Sequence, residues 1–241
     1  ITGEPGVGKT TLAKIIAKIY MAMGFLNNDK FMEAKRSDLI GQYCGHTAIK
    51  TQKVIDSIEG GVLFIDEVYS LGNREKKDVF TKECIDTINQ NLTEKGDKFL
   101  CIIAGYKEEV QSCFFNYNKG LERRFPVRFE LESYDTNSLS NIFIKFMEDD
   151  KWNFDKSLKI DDLKKLIDNN KSLLTYQAGD IRTLFQYSKE NYSMRLLTES
   201  IELGVGIKNL KLNDIKYGFD KFKKIRGDKN KIPDHIKSLY I

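Results

Sequence analysis

The strongest constraint on this chain is a glycine-rich segment at residues 3–10, which reads GEPGVGKT. It matches the whole pattern G-x-x-x-x-G-K-[ST], in which glycines let successive backbone N–H groups turn inward around a polyphosphate. Lys9 is placed to reach the β and γ phosphates, and the Thr10 hydroxyl to ligate Mg²⁺. The segment therefore predicts a nucleoside triphosphate site. The residues expected to contact nucleotide there are Gly3, Glu4, Pro5, Gly6, Val7, Gly8, Lys9, Thr10 and Thr11.

The residues after this loop predict that it opens a helix. Apolar side chains recur at helical spacing, at Leu12, Ile15, Ile16, Ile19 and Met23. The N-terminal dipole of such a helix adds to the attraction for phosphate. The chain begins only two residues before the loop, whereas the motif ordinarily follows a buried strand of several residues. We therefore expect a fragment that lacks its first strand and everything upstream.

Composition places the chain among ordinary globular proteins. Its 241 residues, 41% of them hydrophobic, are enough for one large or two modest domains with a packed core. The sequence contains no run of 18 apolar residues, so it predicts no membrane span. The four cysteines have irregular spacing and only two histidines are present, which favours reduced thiols over a zinc site. We expect a cytoplasmic or other reducing intracellular location, with a lost targeting segment left open.

The charge balance does not demand a nucleic-acid partner. The net charge of +4 comes from 39 basic and 35 acidic residues spread along the chain. One basic stretch, residues 216–231, is interpreted as a solvated helix face, with a binding surface as the alternative.

The order of apolar patterns predicts the fold. Residues 62–65 and 99–104 are continuous apolar runs, which is typical of strands covered on both faces. Residues 31–34 form a further strand candidate, and helical patterns separate the strands. This alternation predicts a parallel α/β sheet. From Tyr134 onward the patterns are helical, so we expect an α/β nucleotide domain at residues 1–132 and a small all-helical lid domain at residues 133–241.

Two acids follow the apolar run at residues 62–65. Asp66 and Glu67 come where the carboxyl ends of parallel strands form a ligand crevice. Asp66 is expected to hold Mg²⁺ opposite Thr10, and Glu67 to polarise the water that attacks the γ phosphate. The alternative is a solvated turn at a strand end.

These features together resemble an AAA+ ATPase. More narrowly, residues 38–48 (DLIGQYCGHTA), 60–67 (GGVLFIDE) and 103–106 (IAGY) resemble the family of CbbX-type Rubisco activases and stage V sporulation protein K. The strings occur in the family's order and spacing and cover residues 1 to about 130, while the tail is covered weakly. The resemblance implies a P-loop AAA+ fold, ATP and Mg²⁺ as cofactors, and Mg-dependent hydrolysis of ATP to ADP and phosphate, with Glu67, Arg124 and Lys9 as catalytic residues.

The same resemblance implies a hexameric ring. One subunit of such a ring supplies an arginine to its neighbour's nucleotide, and residues 120–125 (GLERRF) match that segment. Arg124 is the first choice and Arg123 the second; a solvated arginine pair is the alternative. Tyr43, between Gly41 and Gly45, matches the central-pore loop that grips an extended polypeptide; a tyrosine that covers the edge of the core is the alternative.

Arg182, in residues 179–185 (GDIRTLF), matches the sensor arginine of the family's lid, which touches the γ phosphate. Gly105-Tyr106 stands where many AAA+ proteins carry an asparagine, so no first sensor residue is assigned.

The function predicted from the sequence is an ATP-hydrolysing motor that remodels a protein client. The alternatives are a nucleotide-switched assembly module that threads nothing, and a nucleic-acid-associated AAA+ ATPase. The tyrosine at position 43 favours threading, and the absence of a basic pore loop argues against nucleic acid. We expect a homo-oligomeric ring with an unidentified protein client and no membrane partner.

Overall fold

A computed structural model describes residues 1–43, 45–72, 78–118, 120–198 and 208–229. For residues 227–229 it describes the backbone alone. The chain divides into two compact units. One comprises Ile1–Glu4 and Gly8–Glu132, and the other comprises Pro5–Val7 and the chain from Ser133 onward.

The first unit is built on parallel strands. They are β1 (Thr2–Gly3), β2 (Phe31–Ala34), β3 (Val62–Ile65), β4 (Leu100–Ile103) and β5 (Glu130–Leu131). β3 pairs with both β2 and β4, and β1 pairs with β5, all in parallel. A parallel bridge between Thr2 and Gly105 places β1 beside the end of β4. The strands therefore lie in the order β5-β1-β4-β3-β2, as expected for a parallel α/β sheet.

Helices cover both faces of this sheet. The helices are α1 (Lys9–Ala22), α2 (Arg36–Leu39), α3 (His46–Ser57), α4 (Val79–Glu94), α5 (Lys107–Cys113) and α6 (Leu121–Arg124). β3 is the centre of the unit, because every residue from Val62 to Ile65 is at most 2% exposed. Its continuous apolar run is the pattern of a strand covered on both faces, which confirms the prediction for these residues.

The apolar stripe of α1 is only partly covered. Ile15, Ile19 and Met23, whose spacing predicts the helix, are 48%, 50% and 63% exposed, while Ala13 is fully buried. The helix therefore forms where the pattern predicts it, but small Ala13 rather than the large residues packs most deeply.

The second unit is mainly helical. It contains α7 (Thr136–Asp149), α8 (Ile160–Asn169), α9 (Gln177–Thr198) and α10 (Leu212–Lys229). α7 begins at a side-chain cap, since the Asp135 carboxylate accepts a hydrogen bond of 2.7 Å from the Ser138 amide. Its core joins all four helices through buried residues such as Phe143, Leu163, Leu184 and Phe219.

A short parallel pairing of β6 (Asn153–Phe154) with β7 (Asn209–Leu210) adds to the helices of this unit. The periodicity of the sequence does not predict it, because two-residue strands are too short to show a period of two. In the parts of the chain that the structure describes, no helix combines the length and apolar character needed to cross a bilayer.

Candidate nucleotide-binding site

The glycine-rich loop ends at the first turn of α1. Gly8 is the N-cap of this helix, with a left-handed backbone at φ 90°, and no side chain caps the first amides. The first turn also carries no acidic residue. Because helix N-termini present unpaired N–H groups and a partial positive charge, this end of α1 is open to an anion.

Lys9 lies across the loop that precedes it. Its Nζ donates hydrogen bonds to the carbonyl oxygens of Gly3 (2.8 Å) and Glu4 (2.9 Å), and it lies 5.2 Å from the centre of the Tyr106 ring. Burial lowers the pKa of Lys9, and the nearby Asp66 carboxylate opposes that shift. The ammonium group is therefore held where a polyphosphate inside the loop would meet it.

Thr10 and Asp66 meet although they are far apart in sequence. The Thr10 hydroxyl donates to Asp66 Oδ2 at 3.2 Å, and Asp66 Oδ1 accepts from the Glu67 amide at 2.9 Å. Hydroxyl and carboxylate oxygens suit Mg²⁺, which prefers hard oxygen ligands about 2.1 Å away and keeps several from water and phosphate. Among the described residues no group of three His, Cys, Asp or Glu could form a complete metal cage. The Thr10 hydroxyl and the Asp66 carboxylate are oxygen ligands of the kind that Mg²⁺ takes.

Glu67 has an unusual backbone. It adopts a left-handed conformation, φ 49° and ψ 45°, and caps a 3₁₀ turn, Val68–Leu71. The Val68 amide donates a hydrogen bond to the Ala104 carbonyl (3.0 Å). Val68 and Leu71, the first and last residues of the turn, are fully buried, so the turn is anchored at both ends. A non-glycine residue in this conformation carries strain of about 1–3 kcal/mol, which is common at functional sites. Glu67 itself is exposed.

Two tyrosines beside these acids form a contact that the sequence analysis missed. The rings of Tyr69 and Tyr106 stack with centroids 5.4 Å apart and planes at 21°. Burial, followed by the charge of Glu67, raises the pKa of Tyr69 above its ordinary value. The sequence signal was present in two places: a tyrosine three residues after Asp66, and Gly105-Tyr106 after the next strand.

The middle of the loop, Pro5–Val7, belongs to the second unit. Gly6 has φ 75°, and a Cβ there would lie 2.0 Å from the Tyr176 carbonyl oxygen, so this position requires glycine. The Gly6 carbonyl accepts from the Ala178 amide at 3.2 Å, and the Tyr134 hydroxyl donates to the Val7 carbonyl at 2.8 Å. Local sequence reasoning could not have found these contacts, because the partners lie more than 120 residues downstream.

The two candidate finger arginines differ in their surroundings. Arg124, at the end of α6, donates from Nε to the Thr93 hydroxyl (2.7 Å) and from Nη1 to the Gly120 carbonyl (2.9 Å). Arg123 beside it is exposed. Arg124 therefore has partners within its own chain, and action on a neighbour would require it to exchange them.

Tyr43 projects from the first unit. Its side chain is 67% exposed and contacts the His46 ring edge-on at 5.5 Å. Gly45 has φ 79° and is the N-cap of α3. Cys44 lies outside the described residues. The exposure argues against the alternative of a tyrosine that covers the core.

Arg182 lies on the exposed side of α9. Its guanidinium stacks over the Phe146 ring at 4.6 Å, within the second unit. Its role toward nucleotide stays a prediction.

Fold and site together define a P-loop nucleotide-binding protein of the AAA+ class. The model of the ATPase family associated with various cellular activities (AAA) matches residues 1–133, so the chain belongs to that family. The family and fold class predicted from the sequence are thereby confirmed.

Two relatives match most of this chain. The chain is 46% identical over 222 residues to the cfxQ-like protein R730 of Acanthamoeba polyphaga mimivirus, covering 92% of this chain and 54% of that protein. It is 34% identical over 216 residues to stage V sporulation protein K of Bacillus subtilis (strain 168), covering 88% of this chain and 66% of that protein. The chain therefore spans about half of the first relative and under two thirds of the second.

A solved structure supports the fold alone. The AAA domain of FIGL-1 in complex with ADP superposes with a TM-score of 0.63 at 18% identity, covering 90% of this chain and 68% of that chain.

Replacement of Lys9 by alanine should weaken nucleotide binding. Hydrogen bonds to charged groups contribute about 1.5–3 kcal/mol, so we expect an affinity loss of about 10- to 100-fold. Titration of a fluorescent ATP analogue checks this, with Lys18→Ala, an exposed lysine on the same helix, as control. Equal affinity in Lys9→Ala and Lys18→Ala would contradict the assignment of Lys9.

Proposed function

We propose that this chain is an ATP-hydrolysing AAA+ motor that remodels a protein client. The observation that carries the proposal is the contact between Thr10 Oγ1 and Asp66 Oδ2 at 3.2 Å, with Glu67 next in the chain. It brings the phosphate-binding loop and the acid pair to one edge of the sheet. Nucleotide binding alone does not require an acid after Asp66, whereas hydrolysis requires a group that can orient water.

Each residue has a separate task in this mechanism. Backbone amides of the loop and Lys9 would hold the phosphates, and Thr10 and Asp66 would hold Mg²⁺. When bound, Mg²⁺ neutralises charge on the β and γ phosphates. Glu67 orients a water molecule and accepts its proton as the water oxygen bonds to the γ phosphorus. The bond from that phosphorus to the β,γ-bridging oxygen breaks, and ADP and phosphate leave.

A ring arrangement would complete the site. Proteins of the AAA family commonly oligomerise, and an arginine supplied from a neighbour stabilises charge on the transferred phosphoryl group. Arg124 is proposed for this role, with Arg123 as the alternative, and a hexamer as the assembly. Arg182 of the second unit is proposed as a further nucleotide contact on the strength of its motif.

The exposed Tyr43 supports work on a polypeptide. An aromatic ring can pack against an extended chain without reading its sequence. This favours a protein client over nucleic acid. The identity of the client is a separate question from the mechanism.

Glu67→Gln should bind ATP and lose turnover. The amide keeps the size of the side chain but cannot accept the proton, and general-base catalysis ordinarily contributes 10²–10⁴-fold in rate. Steady-state phosphate release and ATP affinity should be measured on the same samples. Glu33→Gln, an exposed glutamate on β2, is the matched control. Undiminished hydrolysis in Glu67→Gln would contradict the proposed mechanism.

Complementation between variants tests whether the arginine acts in trans. Arg124→Ala has an intact acid pair, and Glu67→Gln has an intact arginine, so each should be inactive alone. A mixed ring contains sites with Glu67 from one subunit and Arg124 from the next, and should recover part of the activity. The same mixture with Arg123→Ala identifies which arginine acts. Failure of both mixtures, with rings formed, would favour a self-contained site.

Tyr43→Ala should separate function from stability. Because the side chain is mostly exposed, we expect a change in unfolding free energy of about 0.5 kcal/mol or less, and unchanged ATP binding. Stimulation of hydrolysis by an unfolded, carboxymethylated model protein should be lost, while Tyr43→Phe should retain it. Melting curves and stimulated phosphate release check both parts. Normal stimulation in Tyr43→Ala would favour a nucleotide-switched assembly module instead.

A further inference from the structure

Buried aspartates pair α9 with α10 near both ends of these helices. Asp180, in the first turn of α9, pairs with Arg226 near the end of α10, with Oδ1 2.6 Å from Nη2. Asp214, in the first turn of α10, pairs with Arg195 near the end of α9, with Oδ2 3.1 Å from Nη2. Asp180 is 4% exposed and Asp214 is fully buried. The helices therefore run antiparallel, with a buried ion pair near each end.

Each aspartate also fixes the backbone just ahead of its own helix. Asp180 Oδ2 accepts a hydrogen bond of 2.7 Å from the Tyr176 amide. Asp214 Oδ2 accepts one of 2.8 Å from the Lys211 amide. A carboxylate that accepts from a backbone amide at the start of a helix sets the path of the chain into that helix. Because an arginine on the other helix holds the carboxylate, that arginine also acts on the backbone segment.

The segments that the two aspartates fix have different neighbours. The segment at Lys211 follows β7, which pairs with β6. The segment at Tyr176 lies against the glycine-rich loop instead. Its carbonyl oxygen would be 2.0 Å from a Cβ on Gly6, and the Ala178 amide donates to the Gly6 carbonyl at 3.2 Å. The ion pair of Asp180 therefore acts on a segment that touches the loop, and the ion pair of Asp214 does not.

The Tyr176 carbonyl is held in place where it meets the loop. It accepts from the Gly179 amide at 2.9 Å, while the amide of the same residue is bound by Asp180. Gln177, next in the chain, has a left-handed backbone at φ 48°. A non-glycine residue in this conformation is strained and persists only where surrounding contacts hold it. The bond to Asp180 is one of the contacts that hold this turn.

A row of contacts thus leads from α10 to the glycine-rich loop. Arg226 bonds to Asp180, and Asp180 bonds to the Tyr176 amide. The Tyr176 carbonyl in turn lies against Gly6. All of these contacts are within the second unit, to which Pro5–Val7 belongs. Because such a loop grips phosphate through the directions of its backbone amides, a shift at Gly6 alters the contacts that it can make.

We propose that Asp180 and Arg226 are positioning residues for nucleotide binding, which set the backbone of the glycine-rich loop through Tyr176. This inference rests on the proposed function, since it requires the loop to bind ATP. It adds a part for α10 in the affinity for nucleotide. Coupling of this kind is reciprocal, so bound ATP should in turn stabilise the contact between Arg226 and Asp180.

Arg226→Met removes the guanidinium group and keeps most of the stem that packs on the Phe222 ring. We expect ATP affinity to fall about fivefold, the lower end of coupling between separate sites. The kcat at saturating ATP should not change, because the acid pair is unaltered. Arg226→Lys keeps a cation beside Asp180 and should retain most of the affinity. Titration of a fluorescent ATP analogue and steady-state phosphate release measure the two quantities.

Arg195→Met is the matched control. It breaks an ion pair between the same two helices, to an aspartate that is also buried, so it should lower the melting temperature to a similar extent. Arg195 lies on the same helix as Asp180 but about 22 Å away, at a rise of about 1.5 Å per residue. Arg195→Met should therefore leave ATP affinity unchanged.

A double-mutant cycle shows whether Arg226 acts through Asp180. ATP affinity should be measured for Arg226→Met, Asp180→Asn and the double variant. If the two residues act as a unit, Arg226→Met adds little to the loss already caused by Asp180→Asn. Full addition of the two losses would contradict the proposed route.

Hydrogen exchange on the unaltered protein tests the same coupling without any variant. Saturating ATP should slow exchange of the Tyr176 amide and of the α10 amides just ahead of Arg226, because the coupling is reciprocal. Exchange around Lys211 should change less, since that segment does not touch the loop.

The outcomes separate this inference from the proposed function. Equal affinity losses in Arg226→Met and Arg195→Met would overturn the inference, because general destabilisation would explain both. Exchange at Tyr176 that ATP does not change would also overturn it. Weak binding in Lys9→Ala with wild-type affinity in Arg226→Met would leave the nucleotide site intact and remove only the role of α10. Wild-type affinity in Lys9→Ala would instead count against the nucleotide site itself.

Discussion

The contact between Thr10 and Asp66 is the constraint on which the site depends. It joins the first turn of α1 to the end of β3, two segments separated by 56 residues in sequence. β3 can hold Asp66 in place because its residues are buried on both faces and paired to strands on both sides. A buried strand and the first turn of a helix therefore bring two oxygens together at the end of the glycine-rich loop, where we propose that nucleotide binds.

Much of this could be predicted from the sequence because the signals are local. The segment at residues 3–10 specifies its own backbone through glycines, and the run at residues 62–65 specifies a strand with acids at its end. Both need only neighbouring residues to be recognised. The structure confirms the strand, the helix after the loop, and the parallel sheet that brings the two together.

Other features could not be predicted because they depend on contacts between distant residues. The stacking of Tyr69 on Tyr106, the bond from Arg124 to Thr93, and the bond from Tyr134 to Val7 each join segments that no local pattern relates. The exposure of Ile15 and Ile19 has the same origin, because periodicity indicates that a helix has an apolar face but not what covers it. Strands as short as β6 and β7 cannot be predicted, because two residues are too few to show a repeating pattern.

The distribution of exposure separates the residues into two groups. Lys9, Thr10 and Asp66 are partly buried, with Lys9 bonded to carbonyls of its own loop and Thr10 bonded to Asp66, which suits groups that must hold a ligand in one geometry. Tyr43, Arg123 and Arg182 are exposed on the surfaces of their units, and the contacts of Tyr43 with His46 and of Arg182 with Phe146 leave each side chain exposed to solvent. Glu67 lies between these groups: its backbone is strained and anchored, while its side chain is free to reach solvent. That combination suits a residue that meets water at a fixed place, because the backbone sets the position of the side chain while the carboxylate stays open to solvent.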